Sequence, residues 1–74
     1  MPKFRDLKRY CENTGWELVG RKRDHYYFEK TLPNGEILRT KVSHSLGKEI
    51  PPNLWQMILK KQLRTTQEEF NKYI

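Results

Sequence analysis

Apolar residues at the start of the chain recur with helical spacing, which predicts a short amphipathic helix over residues 3–13. Phe4, Leu7 and Cys11 fall on one side of this helix. Gly15 follows as a C-terminal cap, because glycine adopts a positive φ without a Cβ clash. The chain therefore leaves the helix within two residues and is free to continue as a strand.

Alternation of apolar and polar residues then predicts three strands. The first begins at Trp16, and Trp16 and Leu18 share one of its faces. The second covers residues 25–30 and turns Tyr26 and Phe28 toward the core. The same alternation places the neighbouring residues on the opposite, wetter face: His25, Tyr27 and Glu29.

A turn at residues 32–35 separates the second strand from a third strand at residues 36–42. Pro33 sets φ at the first central position of this turn, and the Asn-Gly pair that follows tolerates the tight bend. In the third strand Leu38, Thr40 and Val42 lie on one face. The residues of the other face are Ile37, Arg39 and Lys41.

The C-terminal third is predicted to be helical after a polar loop at residues 43–50. Pro51-Pro52 begins a helix, because the backbone donors of the first helical turn are not needed for hydrogen bonds within the helix. This helix is predicted to run to about Leu63. Thr66 and Glu69 resemble a capping box for a short final helix. The helix has an apolar stripe of core-packing residues: Leu54, Trp55, Ile58 and Leu59.

These elements predict an α+β fold in one domain, residues 1–74, because no repeat, linker or low-complexity segment divides the chain. At this length the core is thin. The residues expected in it include Trp16, Tyr26, Phe28, Leu54 and Ile58.

The charge of the chain indicates a polyanionic partner. Its 74 residues include 15 Lys and Arg against 9 Asp and Glu, which gives a formal net charge of +6 and a pI near 9.7. Several basic segments are spaced so that they can converge on one surface, as expected for nucleic-acid binding. The alternative is a solvated surface whose charge only maintains solubility.

The cysteine and histidine content limits the chemistry. Cys11 is the single cysteine and there are two histidines, so neither an intrachain disulfide nor a recognisable zinc pattern is present, and no metal or other cofactor is expected. No apolar signal core or membrane-spanning stretch is visible, which predicts a protein of the reducing cytoplasm without membrane contact.

The strongest candidate for catalysis is His25, which lies in the segment Arg21-Lys22-Arg23-Asp24-His25-Tyr26-Tyr27-Phe28. The unperturbed pKa of histidine, ~6.5, suits proton exchange near neutral pH. Adjacent cations are able to hold a phosphate whose neighbouring hydroxyl is deprotonated. The alternative interpretation is an ordinary surface histidine at the start of a strand.

Taken together, the ordered features resemble the HicA family of small toxins from bacterial and archaeal toxin–antitoxin systems. The resemblance covers nearly the whole chain and depends on the order of the features rather than on any one motif. The matching features are the first helix, Gly15-Trp16, Asp24-His25 with the following aromatics, the hairpin before Leu38, His44, Lys48-Glu49-Ile50, residues 54–63 and Glu69-Phe70.

This resemblance implies a fold like that of double-stranded-RNA-binding domains, with a three-stranded antiparallel sheet and the helices on one face. It also implies metal-independent cleavage of messenger RNA by the histidine that matches His25, and neutralisation by an antitoxin partner, HicB. Family members typically carry Gly-Ser-His where this chain has Arg23-Asp24-His25.

On this hypothesis His25 is the general base for a ribose 2′-hydroxyl. Candidates for phosphate contact are Lys22, Arg23, Arg39 and Lys41. For each of them, the alternative interpretation is an ordinary solvated surface residue. His44 also matches a family position. It is either a second proton-transfer or RNA-binding group, or a residue that makes a structural hydrogen bond or an antitoxin contact.

Two other functional classes are compatible with the same sequence features. One is a non-catalytic RNA-binding module of the same fold, which holds structured RNA through shape and phosphate contacts. The other is a protein-interaction domain in which Trp55, Tyr27 and the terminal aromatics form a partner-binding patch.

Overall fold

A computed structural model describes residues 2–74 and contains helices and strands in the predicted order. The elements before the polar loop are α1 (Phe4–Asn13), β1 (Glu17–Lys22), β2 (His25–Thr31) and β3 (Ile37–Ser43). Those after it are α2 (Pro52–Met57), a π-helical turn (Ile58–Gln62) and α3 (Gln67–Asn71). The predicted α+β fold is confirmed.

The three strands form one antiparallel sheet in the order β1-β2-β3. A two-residue turn, Arg23-Asp24, joins β1 to β2, so that Lys22 lies opposite His25. A bulge shifts the register between Leu18 and Gly20. The antiparallel sheet implied by the family resemblance is therefore confirmed.

The turn between β2 and β3 has the predicted chemistry. The backbone amide of Gly35 donates to the carbonyl of Leu32 at 2.9 Å, and Gly35 has φ of +90°. The Asn34 side chain accepts a hydrogen bond from the amide of Glu36 at 2.9 Å. Glycine is required at position 35, the fourth residue of this turn, because its positive φ is strained for other residues.

The helix caps also follow the sequence. Gly15 has φ of +83°, and the amide of Trp16 donates to the carbonyl of Cys11 at 3.1 Å. The hydroxyl of Thr66 accepts from the amide of Glu69 at 3.1 Å and so caps α3. No helix within residues 2–74 is long and apolar enough to cross a membrane.

The helices pack on one face of the sheet, and the core lies between them. Trp16, Phe28 and Ile58 are buried as predicted, whereas Tyr26 is only half-buried. The full set of buried apolar residues is Leu7, Tyr10, Cys11, Trp16, Phe28, Leu38, Val42, Ile50, Trp55, Ile58, Leu59, Leu63 and Phe70.

The prediction that Leu54 lies in the core is wrong, because its side chain is 38% exposed. The buried positions Trp55, Ile58 and Leu59 are spaced by three and four residues, which is a complete helical stripe. Leu54 lies about 100° around the helix from Trp55, so it faces away from the core. Trp55 is 2% exposed and donates from Nε1 to Gln67, which contradicts its proposed place in a surface patch.

Leu18 also differs from the simple strand pattern. It lies opposite Phe28 in the register and therefore on the core side of the sheet, yet it is 45% exposed. The reason is topological. β1 forms one edge of the sheet, whereas α1 and the π-helical turn pack against β3, which forms the opposite edge. Strand alternation gives the face of a residue but does not show how far the helices extend over that face.

The buried thiol of Cys11 leads to a prediction about pH. Burial, with a smaller contribution from the neighbouring Glu12 carboxylate, raises the pKa of this thiol to about 12. The neutral thiol is therefore favoured in the folded protein, and its contribution to stability is complete below pH ~8.5 and is lost as pH rises toward 12. Between pH 7.5 and 10 we expect the free energy of unfolding to fall by about 1–2 kcal/mol through this group.

Urea unfolding at the two pH values measures this loss. Cys11→Ala is the matched control, because it removes the thiol and keeps every other titrating group, including Tyr10, whose pKa is also raised by burial. The variant should lose less stability than the parent over the same pH interval. Equal losses in both proteins would contradict the assignment.

Candidate functional site

The face of the sheet that points away from the helices carries most of the predicted site residues. Alternation puts every second residue of β2 and β3 on this side, and the antiparallel register aligns them in pairs. Three of these pairs form the candidate site: His25 with Ser43, Tyr27 with Lys41, and Glu29 with Arg39. We call these six residues the outer face.

His25 is the first residue of β2 and lies at one end of the outer face. It is half-buried, and its ring centroid is 6.3 Å from that of Tyr27 with an angle of 52° between the planes. The short Arg23-Asp24 turn fixes its backbone directly beside Lys22 of β1. The hairpin thus fixes the backbone of His25, and its half-buried imidazole remains partly accessible to solvent.

Two lysines lie on either side of this histidine. Lys22 is opposite His25 in the register, and its Nζ lies 5.7 Å from the centroid of the Tyr27 ring. Lys41 is opposite Tyr27 on β3 and lines a cavity together with His25. Both side chains are exposed, so two cations flank the imidazole on a surface that a phosphodiester is able to reach.

Arg39 lies further along the outer face and is already paired. Its Nε is 3.0 Å from Oε2 of Glu29, and its side chain is 68% exposed. A surface ion pair of this kind contributes little to stability, but it partly neutralises the charge that Arg39 offers to a phosphate. Lys41, by contrast, forms no ion pair with any residue in the described range 2–74.

Arg23 is exposed at the tip of the β1–β2 hairpin. The only residue other than glycine with a positive φ in the described part of the chain is Arg64, so the backbone at Arg23 is in a region open to any L-residue. The turn therefore accommodates arginine where family members typically carry glycine. An additional cation stands at the edge of the outer face.

His44 lies on the other side of the sheet from His25. Its ring packs on Tyr26 with a centroid distance of 4.2 Å, and Tyr26 belongs to the helix side of β2. Lys8 and Arg21 also lie over Tyr26, each with its charged atom 5.3 Å from the ring centroid. The structure thus brings His25, Lys22 and Lys41 together and places His44 in a second cluster, with Tyr26, Lys8 and Arg21.

This second cluster contains two residues that the sequence prediction omitted. Lys8 is on α1 and Arg21 on β1, and only the packing of α1 against the sheet brings them to the same ring. The available signal was the alternation of β1, which sends Arg21 and Lys22 to opposite faces. The backbone amide of His44 donates to the carbonyl of Asp24 at 3.0 Å and ties the loop to the hairpin tip.

A cavity of about 100 Å³ lies between β3 and α2, next to the outer face. One side of it is formed by His25, Lys41 and Ser43, and the other by apolar and amide side chains: Phe4, Leu54, Met57, Ile58 and Gln62. We call it the β3–α2 cavity. Sequence reasoning missed Met57 and Gln62 because both fall outside the apolar stripe of the helix.

No group of three or more His, Cys, Asp or Glu side chains within residues 2–74 is placed to hold a metal ion. The arrangement of the outer face instead offers one imidazole between cations. Such a surface can bind a phosphodiester and exchange a proton with a hydroxyl beside it.

Fold and surface together define a small basic α+β protein with a candidate nucleic-acid interface on its exposed sheet face. Residues 4–63 match the family described as HicA toxin of bacterial toxin-antitoxin, a range that begins with α1, ends just after the π-helical turn and includes both histidines. Because the match covers most of the chain, this protein belongs to the HicA toxin family. Searches of the curated proteins and of the solved structures found no match.

Proposed function

We propose that this toxin is an endoribonuclease that cleaves messenger RNA without a metal ion, with His25 as the general base. The observation that carries the proposal is the position of His25 on an open sheet face between Lys22 and Lys41. Membership of the HicA toxin family supports it, since toxins of this family are generally ribonucleases.

The proposed reaction uses the 2′-hydroxyl of the RNA as the nucleophile. His25 accepts the proton of this hydroxyl, and the resulting oxygen attacks the adjacent phosphorus while the bond to the 5′ oxygen breaks. Lys22 and Lys41 stabilise the negative charge that develops on the phosphoryl oxygens. The leaving 5′ oxygen takes a proton from water at the open face, which leaves a 2′,3′-cyclic phosphate and a 5′-hydroxyl.

Incubation of the purified protein with RNA in the presence of EDTA tests this function. We expect cleavage to continue in EDTA and to leave ends with a 2′,3′-cyclic phosphate. A 2′-deoxy residue at a mapped cleavage position should block cleavage there, because the nucleophile is missing. Intact RNA after incubation with folded protein would contradict the proposal.

The proposed partner is a HicB-like antitoxin with an acidic surface that covers the outer face. The net charge of +6 favours association with an acidic protein, and coverage of His25 would exclude RNA sterically. We expect the two proteins to copurify when coexpressed, and the complex to be inactive toward RNA. Amide hydrogen exchange should slow in β2 and β3 on complex formation.

Charge-reversal variants test whether the antitoxin binds at the outer face or elsewhere on the basic surface. Lys22→Glu with Lys41→Glu should weaken antitoxin binding at least tenfold, because two like charges would face the acidic partner. Lys60→Glu with Lys61→Glu is the matched control, since both of these exposed lysines lie on the π-helical turn. A partner that binds without slowing RNA cleavage would refute coverage of the outer face.

A second candidate function is a non-catalytic RNA-binding module of the same fold. The cluster around Tyr26 favours it, because Arg21 and His44 lie on this ring beside Lys8 and can contact a phosphate without any reacting group on the outer face, although Lys8 is itself paired with Glu12 at 2.7 Å. The two functions differ in the EDTA assay: the module would retain RNA and leave it intact.

A further inference from the structure

The β3–α2 cavity has apolar walls that the fold leaves uncovered. Leu54 is 38% exposed and Met57 is 36% exposed, and both line this cavity opposite His25 and Lys41. Apolar surface beside charged groups is unfavourable in water and is typical of a site that a ligand covers. A ligand that fits this cavity would combine an apolar face with an anionic group.

The π-helical turn sets the chemistry of the far end of the cavity. Gln62 is its last residue, and the Oε1 atom of Gln62 accepts a hydrogen bond from the hydroxyl of Thr40 at 2.7 Å. This bond fixes the orientation of the amide. Its Nε2 has one contact among the described residues, with the sulfur of Met57 at 3.6 Å, and sulfur is a weak acceptor.

Gln62 consequently offers amide hydrogens to a ligand in the cavity. Thr40 uses one of the two lone pairs of Oε1, whereas the Nε2 hydrogens have no oxygen or nitrogen acceptor among the described residues, so the amide offers mainly donors. π-helical turns within helices frequently occur at functional sites. Here the turn brings a polar donor next to the exposed sulfur of Met57.

We propose that the β3–α2 cavity binds a nucleobase beside the cleaved phosphate and that Gln62 selects a base with a carbonyl group at its edge. This inference rests on RNA as the substrate of the proposed function. The flat apolar face of a base fits against Met57 and Leu54, and its phosphate then lies at His25 and Lys41. Uracil and guanine present O4 and O6 as acceptors, whereas cytosine and adenine present amino groups that meet the donor of Gln62 unfavourably.

The test measures binding rather than cleavage. Short single strands of 2′-O-methyl uridine and 2′-O-methyl cytidine lack the nucleophilic hydroxyl and differ only at the edge that Gln62 reads. We expect the uridine strand to bind about fivefold more tightly or better, which is the effect of one hydrogen bond to a base edge. Equal affinities would overturn the inference.

Gln62→Glu is the decisive variant. It retains an oxygen acceptor for the Thr40 hydroxyl and removes the amide donors, so the preference for uridine should disappear or reverse. Gln56→Glu is the matched control, since it adds the same charge to an exposed position of α2 that does not line the cavity, and it should keep the preference. A Gln62→Glu protein that retains the preference for uridine would overturn the inference.

Met57→Ala gives a second, independent variant at an exposed position. Removal of the apolar wall should weaken binding of both strands by a similar factor. If Met57→Ala and Gln62→Glu change antitoxin binding and leave both RNA affinities unchanged, the cavity holds a protein side chain and the inference fails. Cleavage without base preference refutes only this inference, whereas base preference without cleavage of natural RNA refutes only the proposed ribonuclease.

Discussion

We expect His25→Ala to lower the rate of RNA cleavage by at least about 10²–10⁴-fold and to relieve growth inhibition by the toxin. General acid–base catalysis typically contributes that factor, and His25 is the one imidazole on the outer face. The fold should survive, because His25 is half-buried on the face opposite the core and its truncation opens no core cavity. Single-turnover cleavage of a defined RNA measures the effect.

The control for this variant is His44→Ala. His44 lies on the helix side of the sheet against Tyr26, away from the proposed chemistry, so its loss should slow cleavage much less than the loss of His25. Circular dichroism and a thermal melt must show that both variants are folded. Full activity of folded His25→Ala would refute the proposed base and leave the RNA-binding module as the better hypothesis.

The outer face was predictable from the sequence because it depends only on strand alternation. His25 and Lys41 are far apart in the chain, yet a period of two in each strand places both on the face opposite Phe28. The turn at residues 32–35 then fixes the antiparallel register that brings the strands together. Strand alternation and the turn sequence were sufficient to predict this face, because β2 and β3 are neighbours in the chain and form one hairpin.

The remaining parts of the site depend on how the helices pack over the sheet. His44 is in an irregular loop, so no periodicity indicated that it would lie on Tyr26. The position of Gln62 depends on the change from α-helix to π-helix at Ile58. A single extra residue in a helical turn moves the following side chains around the axis, and a pattern of apolar residues does not reveal it.

The structure also changes the interpretation of the basic residues. Composition shows a surplus of cations but does not show which of them are paired. Arg39 is held by Glu29, and Arg64 is paired with Glu36, whereas Lys22 and Lys41 point into the region around His25. Two cations that form no ion pair among residues 2–74 thus lie beside His25 at one end of the sheet.

The second large effect is expected for Lys41→Ala. Lys41 lines the same cavity as His25, and in the proposed reaction it stabilises charge on the phosphoryl oxygens. Removal of one preorganised electrostatic group typically costs about 10²–10³-fold in rate. We therefore expect kcat/KM for RNA cleavage to fall by about that factor, and the salt dependence of RNA binding to decrease by about 0.7 in slope for the lost phosphate contact.

Arg39→Ala is the matched control for Lys41→Ala, because it removes the same charge two residues away on the same face of β3. Glu29 already pairs with Arg39, so we expect the loss of this arginine to slow cleavage by less than about tenfold. Cleavage rates at several salt concentrations separate binding from chemistry, since high salt weakens binding in every variant. If both variants lose the same activity, the outer face acts as a diffuse cationic surface, and the specific role of Lys41 beside His25 is refuted.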